Sequence, residues 1–320
     1  MTIEGITTPR TAPWDKIVNE FPQGTKFDEA MEIAGLKYEV GFAPLYADVG
    51  GLEPVPNHRA TVRKDTNKVL GIVGSRYNIV QNRDALGFLS DIVDSGDIVP
   101  LGGGYWKGGA RPWIQARLPQ DIKVAGVASE TLIPFIFAAT GHDGGLQVTI
   151  ALSAIRVVCQ NTYAANLKSP RRFQIRHLDS VVGRVGEARR TLGISFNYFD
   201  EYGKLMNELA QNKFTDANFE RVVNGLLPMP PETAGEQERE NVARKRAQLL
   251  GIYLNSPTVA PVRGSQYGAL QAVTEWNDHV RNGQRKAGTR EAIERKMERI
   301  MIGDDVTFKD EALALILKAK

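Results

Sequence analysis

The stretch IRVVCQNTYAANLKSPRRFQIRH, residues 155–177, gathers the chain's only cysteine, several side-chain amides, five arginine or lysine side chains and a histidine. A nucleophilic thiolate needs a neighbouring cation or base and an open approach. Apolar residues recur every three to four positions after Ser153 (Ile155, Val158, Thr162, Ala165), which predicts a helix starting at Ser153. On that helix Cys159 falls beside Ile155 and Val158, where a free cysteine behaves as a small hydrophobe. The chemistry left to the stretch is anion binding. Arg156, Gln160 and Asn161, then Arg171, Arg172 and Arg176 beyond Pro170, are donors suited to phosphate oxygens.

A second constellation lies on ARPWIQARLP, residues 110–119. Period-two alternation sends Ile114, Ala116 and Leu118 one way and Arg111, Trp113, Gln115 and Arg117 the other. A strand face that interleaves guanidinium groups with an indole suits single-stranded nucleic acid, because arginines hold phosphates and a flat ring stacks on any base. Arg59 and Arg63 occupy a comparable polar face in NHRATVRK, and Tyr163 is a second candidate stacking ring.

Enzyme signatures are sparse. The four histidines (His58, His142, His177, His279) include no pair at helix-face metal spacing, and no Cys-x-x-Cys exists. GGGYWKGG lacks the trailing Lys-Ser/Thr of a phosphate loop and reads as a flexible hairpin. No catalytic residue, bound metal or cofactor is therefore predicted. Two alternatives to nucleic-acid binding stay open. One is a metal-dependent nuclease or hydrolase using His142, Asp143 and His177; the other is a host-interaction or regulatory protein whose basic surface meets an acidic protein.

The elements that must position these groups divide the chain. The first half alternates short apolar runs with Gly, Asn and Asp clusters, as antiparallel hairpins do. TLIPFIFAAT is apolar on both faces, as a strand covered on both sides would be, and LQVTIALS alternates cleanly as a half-buried strand. The second half carries helical periodicity over 181–192, 196–211, 215–226, 239–254, 265–280, 289–301 and 309–318. The expected fold is α+β: a hairpin-rich antiparallel sheet with packed helices, a β-β-β-α-like core, then a mostly helical region. Residues 27–227 form the expected core domain with the nucleic-acid-binding face, 228–238 a proline-rich linker and 239–320 a helical C-terminal region.

Charge supports partners of opposite sign only locally. The whole chain of 320 residues has 40 basic and 37 acidic residues, but between Arg156 and Arg190 basic residues outnumber Asp179 and Glu187 by eight to two. A lone cysteine allows no internal disulfide and points to a reducing compartment. No segment reaches the roughly 18 apolar residues needed to span a bilayer, and the first residues lack a signal-peptide core, so a soluble cytoplasmic protein with no membrane partner is expected.

LGIVGSRYNIVQNRDALGFL, GGGYWKGGARPWIQARLP, HDGG and RVVCQNT followed by IRH stand in an order and spacing that resemble the phage/plasmid-like protein family, catalogued as domain of unknown function 932. FDEAMEIAGLKYEVGFAPLY looks like the start of that family; the likeness runs strongly over 27–199 and weakly beyond. The order of strands and helix is also similar to the core of single-strand annealing proteins of the RecT and Red-beta type. That resemblance implies ATP-independent annealing of single-stranded DNA held in a basic groove, and a homo-oligomeric ring or filament in a bacterial host. An exonuclease or a host single-strand-binding protein would be the further partners it implies.

Overall fold

The doubly apolar run TLIPFIFAAT becomes the buried spine of the larger sheet. The computed structural model describes residues 15–127, 130–158, 160–174, 181–281 and 289–319. Its first strands and helices are β1 (Asn19–Glu20), α1 (Phe27–Ile33), β2 (Val40–Asp48), β3 (Leu52–Arg63), β4 (Lys68–Gly74), α2 (Asn82–Leu86) and α3 (Phe88–Asp94). They are followed by β5 (Val99–Trp106), β6 (Arg111–Arg117), β7 (Ile122–Lys123), β8 (Thr131–Ala139), β9 (Thr149–Arg156), β10 (Thr162–Tyr163) and β11 (Arg172–Gln174). The larger sheet runs β1-β5-β6-β8-β9-β10, with β7 added to β8 and β11 to β9, and every pairing in it is antiparallel. A separate three-stranded sheet, β2-β3-β4, supplies the hairpin expected at NHRATVRKDTNKVLGIVG.

Six helices complete the described chain: α4 (Val181–Gln211), α5 (Asp216–Leu226), α6 (Glu236–Asn255), α7 (Gln266–Glu275), α8 (Arg290–Ile302) and α9 (Asp304–Lys318). Their starts follow the sequence chemistry: Thr215, Ser265 and Thr289 each accept a hydrogen bond from the backbone N–H three residues on. The α+β class is as expected. Where two helices are predicted at 181–192 and 196–211, one continuous helix stands, because Gly193 sits on an open face and nothing there breaks the backbone. The helical pattern over 265–280 ends in a π turn, Trp276–Val280.

Both faces of the larger sheet are covered, and this corrects two expectations. Ile114, Ala116, Ile136, Ile150 and Leu152 face one apolar cluster shared with α3, α4 and α7. Trp113, Phe135, Phe137, Ala151 and Ile155 face a second cluster closed by Ile293, Met297, Ile300 and Met301 of α8. With both faces buried, β9 needs no polar side, so its apolar residues lose the period of two without leaving the strand. The helix predicted from Ser153 is therefore absent: β9 continues to Arg156, turns, and returns as β10. Cys159 lies outside the described residues. The stretch 227–235 is without helix or strand, and the first cluster draws on residues from both sides of it.

Candidate nucleic-acid interface

Folding takes five of the predicted contact residues into the interior. Trp113 is fully buried, its ring 5.4 Å from Phe137 and 6.0 Å from Trp106. The alternation that places it opposite Ile114 holds, but α8 covers the face on which it sits, so it packs the core and offers no base a platform. Arg156, on the interior strand β9, is 1% exposed and grips both oxygens of Glu130 at 2.5 and 2.8 Å. Gln160 sits buried in the left-handed region at φ 53°. Asn161 is buried under α7, donating to the Thr274 hydroxyl at 3.2 Å while its side-chain oxygen meets His279 at 3.1 Å. Tyr163 is buried as well, its hydroxyl donating to Asp310 at 3.1 Å. These five are removed from any surface groove because their strands lie under α7, α8 and α9.

Three of the remaining arginines are neutralised at half-buried positions. Arg111 pairs with Asp143 at 2.8 Å and with Glu298, Arg117 pairs with Asp121 at 2.7 Å, and Arg171 pairs with Asp310. Arg172 is exposed and donates to the Ile302 carbonyl at 3.1 Å. Arg176 and His177 lie outside the described residues.

Arg59 and Arg63 do meet the expectation of a shared face. Both point from β3 toward the larger sheet: Arg59 lies 3.5 Å over the Phe42 ring, and Arg63 lies 4.0 Å over Tyr38 and 4.9 Å over Tyr105. Around Arg63 a cationic corner is built from residues that no sequence pattern singles out. The β5–β6 turn, Lys107–Gly109, has positive φ at all three positions (53°, 68° and 110°). Gly109, at φ 110°, holds a backbone conformation that favours glycine, and a side chain there would stand 3.2 Å from Arg63 Nη1. Lys68 of β4 reaches over Gly108, and Arg290, at the start of α8, lies 5.5 Å over Tyr105.

Charges in this corner are layered. Glu294, Asp143 and Glu298 lie inside, with side chains 8%, 16% and 17% exposed, while Lys107 and Arg290 outside them are 44% and 54% exposed; Asp65 also lies outside, 47% exposed, and holds the Arg63 guanidinium at 2.8 and 2.9 Å. Glu294 is fixed by the Lys107 backbone N–H at 2.8 Å and by Arg290 at 2.8 Å. Burial, helped by the neighbouring Arg111 charge, holds the Lys107 ammonium below its usual range, with Asp143 and Glu294 opposing. Lys68, Lys107 and Arg290 bring their charged ends to the surface, the latter two beside their carboxylate partners, next to the half-buried Tyr105 ring. Exposed Phe42 extends this face of the small sheet, while exposed Val69 and Ile72, opposite Val62 and Ala60, stand on its other face. The signal for the corner is present as the glycine run ahead of Lys107 and the arginine just after the Thr289 cap, but only the fold brings them together.

The GHDGG turn has a structural role. The His142 carbonyl accepts from the Thr61 hydroxyl at 2.7 Å and the Gly141 carbonyl from the Tyr77 hydroxyl at 2.9 Å, which ties the small sheet to the large one. His142 is 1% exposed; Nε2 donates to the Asn82 side-chain oxygen at 2.7 Å, the Asn82 amide nitrogen being committed to the Leu36 carbonyl. Nδ1 is enclosed without a partner, and burial pushes the imidazole down to about 4. Among the described residues no group of three or more His, Cys, Asp or Glu is placed to hold a metal ion. No helix among them is long and apolar enough to cross a membrane.

Residues 69–301 match the model of a family described as a domain of unknown function, DUF932. No curated protein and no solved structure matches the chain.

Proposed function

Since the chain belongs to the DUF932 family, a family without an assigned function, we propose that it is a single-stranded-DNA-binding and strand-annealing protein of phages or plasmids. It would act without ATP in the cytoplasm of a bacterial host, as a homo-oligomeric ring or filament, with an exonuclease or host single-strand-binding protein as further partners. The observation that carries this reading is the cluster at the β5–β6 turn: Lys107 and Arg290 outermost over Asp143, Glu294 and Glu298, with Arg63 and Arg290 both close to the half-buried Tyr105 ring. Cations beside a half-exposed ring suit a strand held by its backbone with sequence-tolerant stacking. Arg59 on Phe42 lies four residues along β3 from Arg63, about 13 Å at the rise of an extended strand, so both arginines can touch one bound strand. Such a contact reads no base edge, as annealing of arbitrary sequences requires.

The test is fluorescence anisotropy of a labelled single-stranded oligonucleotide at two salt concentrations, with duplex of the same sequence as competitor. Salt-sensitive binding that prefers the single strand and is weakened at least tenfold by Lys107→Glu with Arg290→Glu is the expected result. Absent binding at low salt, or binding indifferent to this pair, overturns the reading.

A further inference from the structure

Toward the opposite end of α8 two cationic side chains hold one carboxylate and a third lies within reach of its field. Lys296 Nζ lies 3.0 Å from one oxygen of Asp305 and Arg299 Nη2 lies 2.5 Å from the other. Arg281 joins them from the end of the π turn. Its guanidinium lies 4.1 Å over the Phe308 ring and donates to the Asn277 side-chain oxygen at 3.1 Å. One layer further in, Lys309 pairs with Asp278 at 2.6 Å.

The π turn explains how the backbone makes room. The Arg281 N–H reaches back to the Trp276 carbonyl at 2.7 Å, five residues away, so the Asn277 carbonyl loses the donor an α-helix would give it. Lys296 Nζ takes that place at 2.5 Å. The lysine is thereby held by a carbonyl and a shared carboxylate, and its burial lowers its affinity for a proton, with Asp278 and Asp305 opposing.

Charge does not balance here. Lys296, Lys309, Arg299 and Arg281 face two carboxylates, Asp278 and Asp305, both with fully enclosed side chains. Glu311, exposed on α9, acts on Arg281 only through its field. Arg299 is 40% exposed, so the excess positive charge opens toward solvent. The buried cations Lys296 and Lys309 are each paired, so the unbalanced charge is carried by Arg299 and half-buried Arg281, where an anion from solvent can meet it. Two guanidinium forks and an ammonium that share one enclosed carboxylate fit a tetrahedral oxyanion.

We propose that Arg281, Lys296 and Arg299 form a binding site for a phosphate dianion, either a terminal phosphate monoester of a nucleic-acid strand or free phosphate. The site is separate from the cationic corner and does not rest on the DNA reading. The first experiment is calorimetric titration of the full chain with inorganic phosphate, against chloride at matched ionic strength. Saturable binding is expected, weakened at least tenfold in Arg281→Gln and in the more exposed Arg299→Gln, both retaining the far-ultraviolet circular dichroism of the parent. Lack of saturable binding, or binding unchanged in both variants, overturns the proposal.

A second arm identifies the source. If the ligand is a strand end, a 5′-phosphorylated oligonucleotide binds more tightly than its 5′-hydroxyl form and Arg281→Gln erases the difference; if it is free phosphate, the two oligonucleotides bind alike while inorganic phosphate still saturates. Loss of all oligonucleotide binding with phosphate binding intact would count against the DNA reading alone.

Discussion

Tyr267 donates its hydroxyl, at 2.7 Å, to the same Glu130 oxygen that Arg156 Nε holds at 2.5 Å. The three side chains join β9, α7 and the start of β8, and all are buried. Such a pair stabilises only while it is complete, because removing one member leaves a buried charge without its partner. Arg156→Met should therefore cost about 3–5 kcal/mol in a denaturant titration. Adding Glu130→Gln should recover part of the loss. Oligonucleotide affinity per folded molecule should stay at the parent value; a selective loss of affinity would return Arg156 to the interface.

The cationic corner makes a quantitative prediction about salt. Removing one cation that neutralises a phosphate should reduce the slope of log affinity against log salt by about 0.7 for a single strand. Lys107→Gln should do so while leaving stability nearly unchanged, since its side chain is 44% exposed; Arg290→Gln should do so at some cost in stability, because Glu294, 8% exposed, loses its charged partner. Arg111→Gln should behave in the opposite way. Its guanidinium holds Asp143 and Glu298 at half-buried positions, so its removal should lower the melting temperature and leave the salt slope alone. A slope change in Arg111→Gln would show that the inner layer is reached by the strand.

How much of this is legible in the sequence follows from what each pattern encodes. Alternation in ARPWIQARLP sorts Arg111, Trp113, Gln115 and Arg117 from Ile114 and Ala116 correctly, because side-chain direction along a strand is a local property. Which face meets solvent is not local: it depends on α8, nearly two hundred residues away in the chain, and so the pattern misplaces Trp113. β9 misleads for a related reason, since a strand covered on both sides has no polar positions to mark its period. The cationic corner is not legible as a unit, because Lys68, Lys107 and Arg290 come from three distant segments, none basic enough to stand out, and the glycine run and the Thr289 cap mark only its parts. Helices with polar caps, such as α5 after Thr215 and α8 after Thr289, are legible almost to the residue, because the cap is written in the chain beside them.

Contact between the two sheets depends on a residue with no side chain. A Cβ on Gly71 would stand 2.5 Å from the Cα of Asp143, which is backbone and cannot swing aside. Gly71→Ala should destabilise the protein by roughly 1–3 kcal/mol or more, as overpacking does. It should also expose the small sheet, read as faster amide exchange in β3 and β4 than in β8. Gly51→Ala, in the open tip of the β2–β3 hairpin, has nothing within 4 Å and should leave both measurements unchanged. Equal behaviour of the two variants would argue against tight packing of β4 on the GHDGG turn.

Acid should loosen the same junction through His142. Burial holds its folded-state value near 4 against an ordinary 6.5, so below 6.5 the unfolded chain takes up a proton that the folded chain refuses. The stability supplied by the neutral imidazole is complete above about 6.5. It is lost progressively as the pH falls toward 4, and the loss levels off below that, where both forms are protonated. A shift of this size amounts to roughly 3 kcal/mol at its limit. His142→Gln can still donate toward Asn82 and carries no titrating group, so it should start less stable at neutral pH and fall less steeply between 6.5 and 4. Denaturant midpoints measured at half-unit steps across that window, for parent and variant together, isolate the histidine from the carboxylates, which titrate in both. Parallel curves would mean that the imidazole is protonated in the folded state and that the closed pocket around Nδ1 opens in acid.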